Sequence, residues 1–298
     1  MLRTLFHKLN PSCKHNLIVL RDKTKRRLTR LFFSCGLSRL LKFYDYGYDE
    51  LLQSLRGLGI VPGDLLMVHS SFSPFSGFSG APHDVTRALR ECIGSEGTLL
   101  MMSMPYSTSA RTYLEKREIF DVSRTVSRMG LVSEVFRRQK DVFRSVHPTH
   151  PVLAVGPLAE WLVTGHECCL YGCGPGSPFE KFYQKNGKIL FLGVSFATFT
   201  FIHYVEHLLQ HQLSFQLYGD EIYRVKVVDS AKRESEIEVK VSSPDALLRR
   251  RPLKLKRWLA SKGRIRRCRV GLTEVMIVRA EDALFTAMEM TERGCVLY

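Results

Sequence analysis

The sequence predicts an α/β domain: a mixed, largely parallel sheet flanked by helices, with a C-terminal β-hairpin and helical additions. Three observations carry that expectation. Short apolar runs alternate with segments of helical periodicity from residue 46 to about residue 210. Turn residues such as "PGD" and Pro105 separate them. Further on, "EIYRVKVVD" and "ESEIEVKVS" alternate apolar and polar residues around a turn, the pattern of a hairpin.

The elements follow in order. "YDELLQSLRGLGI" sets leucines on one helical face, with Gly57 and Gly59 near its end. "LLMVHSS" is a strand that finishes in small polar residues, and "APHDVTRALRECIG" is a second helix. "GTLLMMSMP" is strand-like up to Pro105, and "MGLVSEVFRRQ" is helical. In "RSVHPTHPVLAVGP", residues 152–155 form a short buried strand. Pro148 and Pro151 push His147 and His150 toward extended backbone, so this histidine pair occupies the loop feeding that strand. After the glycine-rich "YGCGPGSP" come a helix, the strand "KILFLGV" and the helix "FIHYVEHLLQH". "PDALLRRRPLKLKRWLASKG" is basic and helical in part. "RVGLTEVMIVRAEDALFTAMEMTE" closes with a strand and an amphipathic helix.

Charge divides the chain. Among its 298 residues the formal net charge is +15, which calls for an anionic partner such as a phosphate-bearing cofactor, an acidic membrane surface or nucleic acid. Residues 1–45 form a basic N-terminal extension in which Asp22 and Asp45 are the only acids, and residues 46–298 form the domain. Within the extension, "LTRLFFSCGLSRLLKFY" suits a helix on an anionic membrane, on a partner or on its own domain. A second basic cluster runs from Arg249 to Arg269. No apolar run reaches the roughly 18 residues of a membrane span, and no signal peptide is read, so a cytoplasmic location is expected. Peripheral contact with the inner membrane face through residues 1–45 is the further expectation.

Four segments offer chemistry: "LMVHSS", "VHPTHP", "YGCGPGSPFEKFY" and "FLGVSFATFTFIHYVEH". In a wound α/β domain their loops converge at one end of the sheet. His203 and Glu206 stand three apart on one helical face, which is the minimum for a general base with an oriented ring or, alternatively, a plain surface pair. His147 and His150 read either as catalytic imidazoles or as loop residues bonded to backbone. His166, Cys168, Cys169 and Cys173 invite a zinc reading, but there is no CxxC pair, so no metal is expected. "GCGPGSP" matches neither a Walker A nor a dinucleotide pattern, and no nucleic-acid-binding module accompanies the basic segments.

Taken in order, "LRGLGIVPGDLLMVHSS", "IGSEGTLLM", "FDVSRTVSRMG", "RSVHPTHPVLAVGP", "GPGSPFEKFY", "GKILFLGV", "HYVEH" and "GRIRRCRVGLTEVMIVRAEDAL" resemble the aminoglycoside 3-N-acetyltransferase family. That fold is unrelated to the common GNAT acetyltransferases. The resemblance covers roughly residues 46–298 and implies transfer of an acetyl group from acetyl-CoA to an amine of an amino sugar. It implies His147 as catalytic residue, with Glu206 as its carboxylate partner, His203 beside it and His150 as a second base. His69, Ser70, Ser71, Met129 and Gly130 are the implied acetyl-CoA contacts, the last two at the start of a helix. Where resistance enzymes tend to carry acids, this chain has "SSPDALLRRRPLKLKRW", which predicts a neutral or anionic amino sugar. The alternatives are a true aminoglycoside 3-N-acetyltransferase conferring antibiotic resistance, and a silent member that binds a membrane or partner.

Overall fold

The computed structural model describes residues 44–298 except Pro74, Ser76 and Val296, so the expectations for the basic extension lie outside the described residues. From Tyr46 onward the chain forms one compact unit. It begins with helix α1 (Tyr48–Gly57), strand β1 (Leu65–Ser70), helix α2 (Pro82–Ile93) and strand β2 (Thr98–Met102). Helix α3 (Ala110–Glu115), strand β3 (Phe120–Asp121), helix α4 (Leu131–Arg137) and strands β4 (Phe143–Arg144) and β5 (Val152–Val155) follow. Helices α5 (Ala159–Val163) and α6 (Pro178–Gln184) lead to strand β6 (Lys188–Leu192) and helix α7 (Ile202–Leu208). The hairpin β7 (Tyr223–Val228) and β8 (Glu234–Val239) precedes helices α8 (Pro244–Arg249) and α9 (Pro252–Ser261). Strands β9 (Ile265–Val270) and β10 (Thr273–Arg279) and helix α10 (Ala280–Glu292) complete it.

Seven strands form the main sheet in the order β4-β5-β2-β1-β6-β10-β9. Its centre is parallel, β1 lying between β2 and β6, and the margins are antiparallel. Helices cover both faces, and strand alternation divides the core accordingly. Leu65 and Met67 of β1, with Leu100, Ile189 and Phe191, pack on α5, α6, α7, α9 and α10. Leu66 and Val68, with Leu99, Met101 and Leu190, pack on α1, α2 and α4. A smaller sheet, β3-β7-β8, closes a third core around Phe120 and Val227.

The hairpin and the mixed sheet agree with the sequence pattern. The structure adds β9, which the sequence shows only as the basic run "IRRCRV". That strand is the sheet's outer edge, and Arg266, Arg267 and Arg269 are exposed there at little cost. The basic stretch after the hairpin is two helices, because Pro252 opens α9 and excludes helical backbone just before it. Arg250 and Arg251 form the link, and this break places Arg250 at the site.

Candidate active site

A cleft of about 440 Å³ lies outside the carboxyl ends of β1, β2 and β6. Parallel strands end there without antiparallel return, which leaves a crevice that neighbouring loops can furnish. His69, Ser70, Ser71, Met129, His203 and Arg250 are among its lining residues. A larger opening of about 1110 Å³ at the β4 edge holds none of the sequence-predicted residues.

His203 sits in the first turn of α7, with its side chain 24% exposed. Its Nδ1 is 3.2 Å from Glu206 Oε2, the contact that i,i+3 spacing on a helix allows. Nε2 has no protein partner among the described residues and is left for the cleft. The carboxylate is shared: Arg250 donates from Nε to Glu206 Oε1 at 2.6 Å and from Nη2 to Oε2 at 2.8 Å. Burial pushes the His203 pKa below its ordinary value, Arg250 adds to this, and Glu206 opposes it. Burial alone would raise Glu206, but His203 and Arg250 outweigh it and leave the carboxyl below its ordinary value. The imidazole is therefore neutral near pH 7 and the carboxylate charged, the state a general base needs.

His147 has a different setting. It is fully buried and absent from the cleft. Its Nδ1 accepts backbone N–H groups from Thr149 at 3.3 Å and His150 at 3.2 Å, so the proton resides on Nε2, which donates to Cys169 O at 3.3 Å. The ring stacks on His166 at 4.4 Å between centroids. His166 in turn bridges Ser145 Oγ at 2.8 Å and Gly172 O at 2.9 Å. Burial pushes His147 well below the ordinary imidazole range, and burial brings His166 down to about 3. Both nitrogens of His147 are committed, and Glu206 belongs to His203 and Arg250. The expected His147–Glu206 pair is therefore not formed, and His147 braces the loop before β5.

His150 lies between the two groups. Its Nδ1 is 3.0 Å from Thr149 Oγ1, and its ring meets that of His203 edge-on at 5.5 Å, yet it does not line the cleft. Gly172 packs so closely on this loop that a Cβ there would stand 2.7 Å from His150 Nδ1 and 2.8 Å from His147 Cε1. Only glycine allows that approach.

Four of the five expected acetyl-CoA contacts, His69, Ser70, Ser71 and Met129, reach the cleft, whereas Gly130 caps α4 outside its lining. His69 is buried and its Nε2 has no partner among the described residues, an orphan nitrogen at the cleft wall. Burial lowers its pKa to about 4, so it stays neutral. Of the loop thiols, Cys169 donates to Gly165 O and Pro175 O, Cys173 is buried with its pKa raised by burial, and Cys168 is exposed. Arg250 and Arg128, both in the cleft lining, were not signalled as site residues by any motif.

The crevice at the ends of parallel strands, with a histidine in its wall backed by a buried carboxylate, defines an α/β protein of enzyme architecture. The chain belongs to the aminoglycoside 3-N-acetyltransferase family, whose model matches residues 67–292. Aminoglycoside N(3)-acetyltransferase III of Serratia marcescens is 35% identical over 170 residues, 53% of this chain and 63% of the relative. The match thus spans under two thirds of that relative's length. The type IV enzyme of Salmonella sp is 28% identical over 257 residues, covering 86% of this chain and 91% of its own. Among solved structures, the apoenzyme of aminoglycoside acetyltransferase AAC(3)-IVa superimposes with a TM-score of 0.69 at 27% identity, over 84% of this chain and 90% of that one. AAC(3)-Xa, at 22% identity and a TM-score of 0.72 over 91% and 99% of the two chains, shares the fold.

Proposed function

We propose that the chain is an N-acetyltransferase that uses acetyl-CoA and acts on an amine of an amino sugar, with His203 as general base. The observation that carries this reading is the neutral His203 ring, oriented by Glu206 at 3.2 Å and open to the cleft on its Nε2 side. Bound acetyl-CoA supplies the activated acetyl thioester. His203 Nε2 takes the proton that an acceptor ammonium must lose before its nitrogen can attack the thioester carbonyl; the C–S bond then breaks, and the departing thiolate takes the nitrogen's second proton and leaves as coenzyme A. Glu206 holds the ring in the tautomer with Nδ1–H and stabilises the imidazolium that forms.

The donor set suits acetyl-CoA. His69 Nε2 is a buried polar atom in want of a partner, Ser70 and Ser71 offer hydroxyls, and Met104, Met129 and Phe199 provide an apolar wall for a pantetheine arm. No carboxylate lines the cleft among the described residues, whereas Arg128 and Arg250 do. This supports a neutral or anionic amino sugar: Arg250 is offset by Glu206, but a polycation would still meet Arg128 with no carboxylate in the lining to receive it. A second reading, acetylation of aminoglycoside drugs, draws on relatives: a histidine-to-alanine mutant of AAC(3)-IVa was solved in complex with a gentamicin and with apramycin.

Thiol release from acetyl-CoA across an amine panel tests both. Faster turnover of neutral and nucleotide-linked amino sugars is expected. Preference for gentamicin or apramycin would transfer the chain to the second reading, and failure to bind acetyl-CoA by calorimetry would leave the silent-member alternative. The domain assignment, with 1–45 as a basic extension and 46–298 as the catalytic domain, belongs to this proposal, as does a cytoplasmic site of action. Peripheral membrane contact by the extension predicts sedimentation with anionic vesicles that is lost on deleting residues 1–45. Among the described residues no helix is long and apolar enough to cross a membrane.

A further inference from the structure

We infer that Arg250 is a positioning residue for the base: it clamps Glu206 against His203 and offsets the carboxylate's negative charge. The inference rests on His203 acting as the base. Its ground is a contact that a structural ion pair does not require. Glu206 is 1% exposed and Arg250 11% exposed, and the two meet through paired bonds of 2.6 and 2.8 Å. The same Glu206 Oε2 that accepts from Arg250 Nη2 lies 3.2 Å from His203 Nδ1. Arg250 also lines the cleft itself and is tethered to Ser242 Oγ at 3.3 Å.

An isolated Glu–His pair raises the basicity of the imidazole, and a buried one carries it far. Here the carboxylate is divided between two cations whenever the ring is protonated, so the triad His203–Glu206–Arg250 is neutral only with a neutral ring. The groups facing His203 are Glu206 from its own helix, Arg250 from the α8–α9 link and His150 from the histidine loop. Around Glu206 stand Cys173, Tyr218 and Tyr298, each kept protonated by burial. Arg128 is the other cation of the cleft lining. None of these supplies a second carboxylate, so removing Arg250 leaves Glu206 to act on the ring alone.

The test uses the full chain with Arg250→Met and Arg250→Lys. It measures kcat/KM from pH 5.5 to 9 on the best acceptor of the panel, and the His203 ring by 15N NMR titration. Arg250→Met is expected to raise both the acid limb and the NMR titration of His203 by about one pH unit. Activity well below the native limb then falls by up to about tenfold, by no more than about fivefold at pH 6.5, and recovers above pH 8, beyond the shifted limb. Arg250→Lys retains the cation and follows the native profile closely. A loss of equal size at every pH, or a Lys variant no better than Met, would overturn the inference. Should Arg250→Met not fold, Arg250→Gln carries the same expectation, since it is polar and uncharged. His203→Ala with full turnover would remove the base assignment. The NMR comparison would still decide whether Arg250 governs the imidazole.

Discussion

Two histidine sites stand within one domain and differ in everything except the side chain. His203 gives Nδ1 to Glu206 and keeps Nε2 without a protein partner among the described residues, and Arg250 binds the same carboxylate. His147 spends both nitrogens on backbone groups and stacks on a second neutral imidazole. Under the proposed mechanism, the same ring is a base where one nitrogen is left unpartnered and a strut where both are committed. Local hydrogen-bond accounting, more than proximity to a motif, separates the two roles.

The largest effect that can break this contrast is on turnover. His203→Ala should lower kcat/KM by about 10²- to 10⁴-fold with an unchanged thermal midpoint. His147→Ala should keep most of the activity, because its ring touches no cleft. A His147→Ala protein that is fully folded yet inactive would reverse the assignment. Next in size, Glu206→Gln strands Arg250 as a buried cation and should cost about 3 kcal/mol in urea unfolding. Equal stability to the native chain would show that water, and not Glu206, satisfies the guanidinium.

His147→Ala should cost about 2 kcal/mol, since the N–H groups of Thr149 and His150 and the carbonyl of Cys169 lose their partner. Gly172→Ala sharpens the picture further, because its Cβ would press on both His147 and His150; a cost of about 1–3 kcal/mol is expected. The gentlest probe is pH. His147 and His166 have folded pKa values below the unfolded value of about 6.5, so the unfolded chain binds protons first as pH falls. Their contribution is complete above pH 6.5 and drains below it, toward about 3 for His166. Each should add a slope approaching about 1.4 kcal/mol per pH unit. A thermal midpoint flat from pH 7 to 5 would contradict neutral buried rings.

Much of the fold could be read before the structure because its strands are apolar runs and its helices carry a 3.6-residue stripe. β9 could not be, since three arginines in six residues mask an edge strand that buries only Ile265 on one face and Cys268 and Val270 on the other. At the site, the spacing of His203 and Glu206 was visible, as was the cluster at the end of "LMVHSS". Their rank against His147 was not. It depends on how residues 166–172 pack beneath the histidine loop, which no local pattern encodes. Arg250 was hidden for the same reason: it meets Glu206 across 44 residues of chain. Its only local trace is the helix break that Pro252 imposes.

The central place of β1 also bears on how the molecule is made. It is the first strand of the sheet to be synthesised, and β2 can join it almost at once. Its other edge pairs Leu66 with Lys188, about 120 residues later in the chain. At about 5–20 residues per second, that interval lasts roughly 6 to 24 seconds on the ribosome. Throughout it, a strand of leucine, methionine and valine presents one unpaired apolar edge, and β6 itself then waits for β10. The geometry that opens the cleft between strands distant in sequence thus leaves the nascent chain with an unpaired apolar edge, the condition under which partly made α/β domains aggregate.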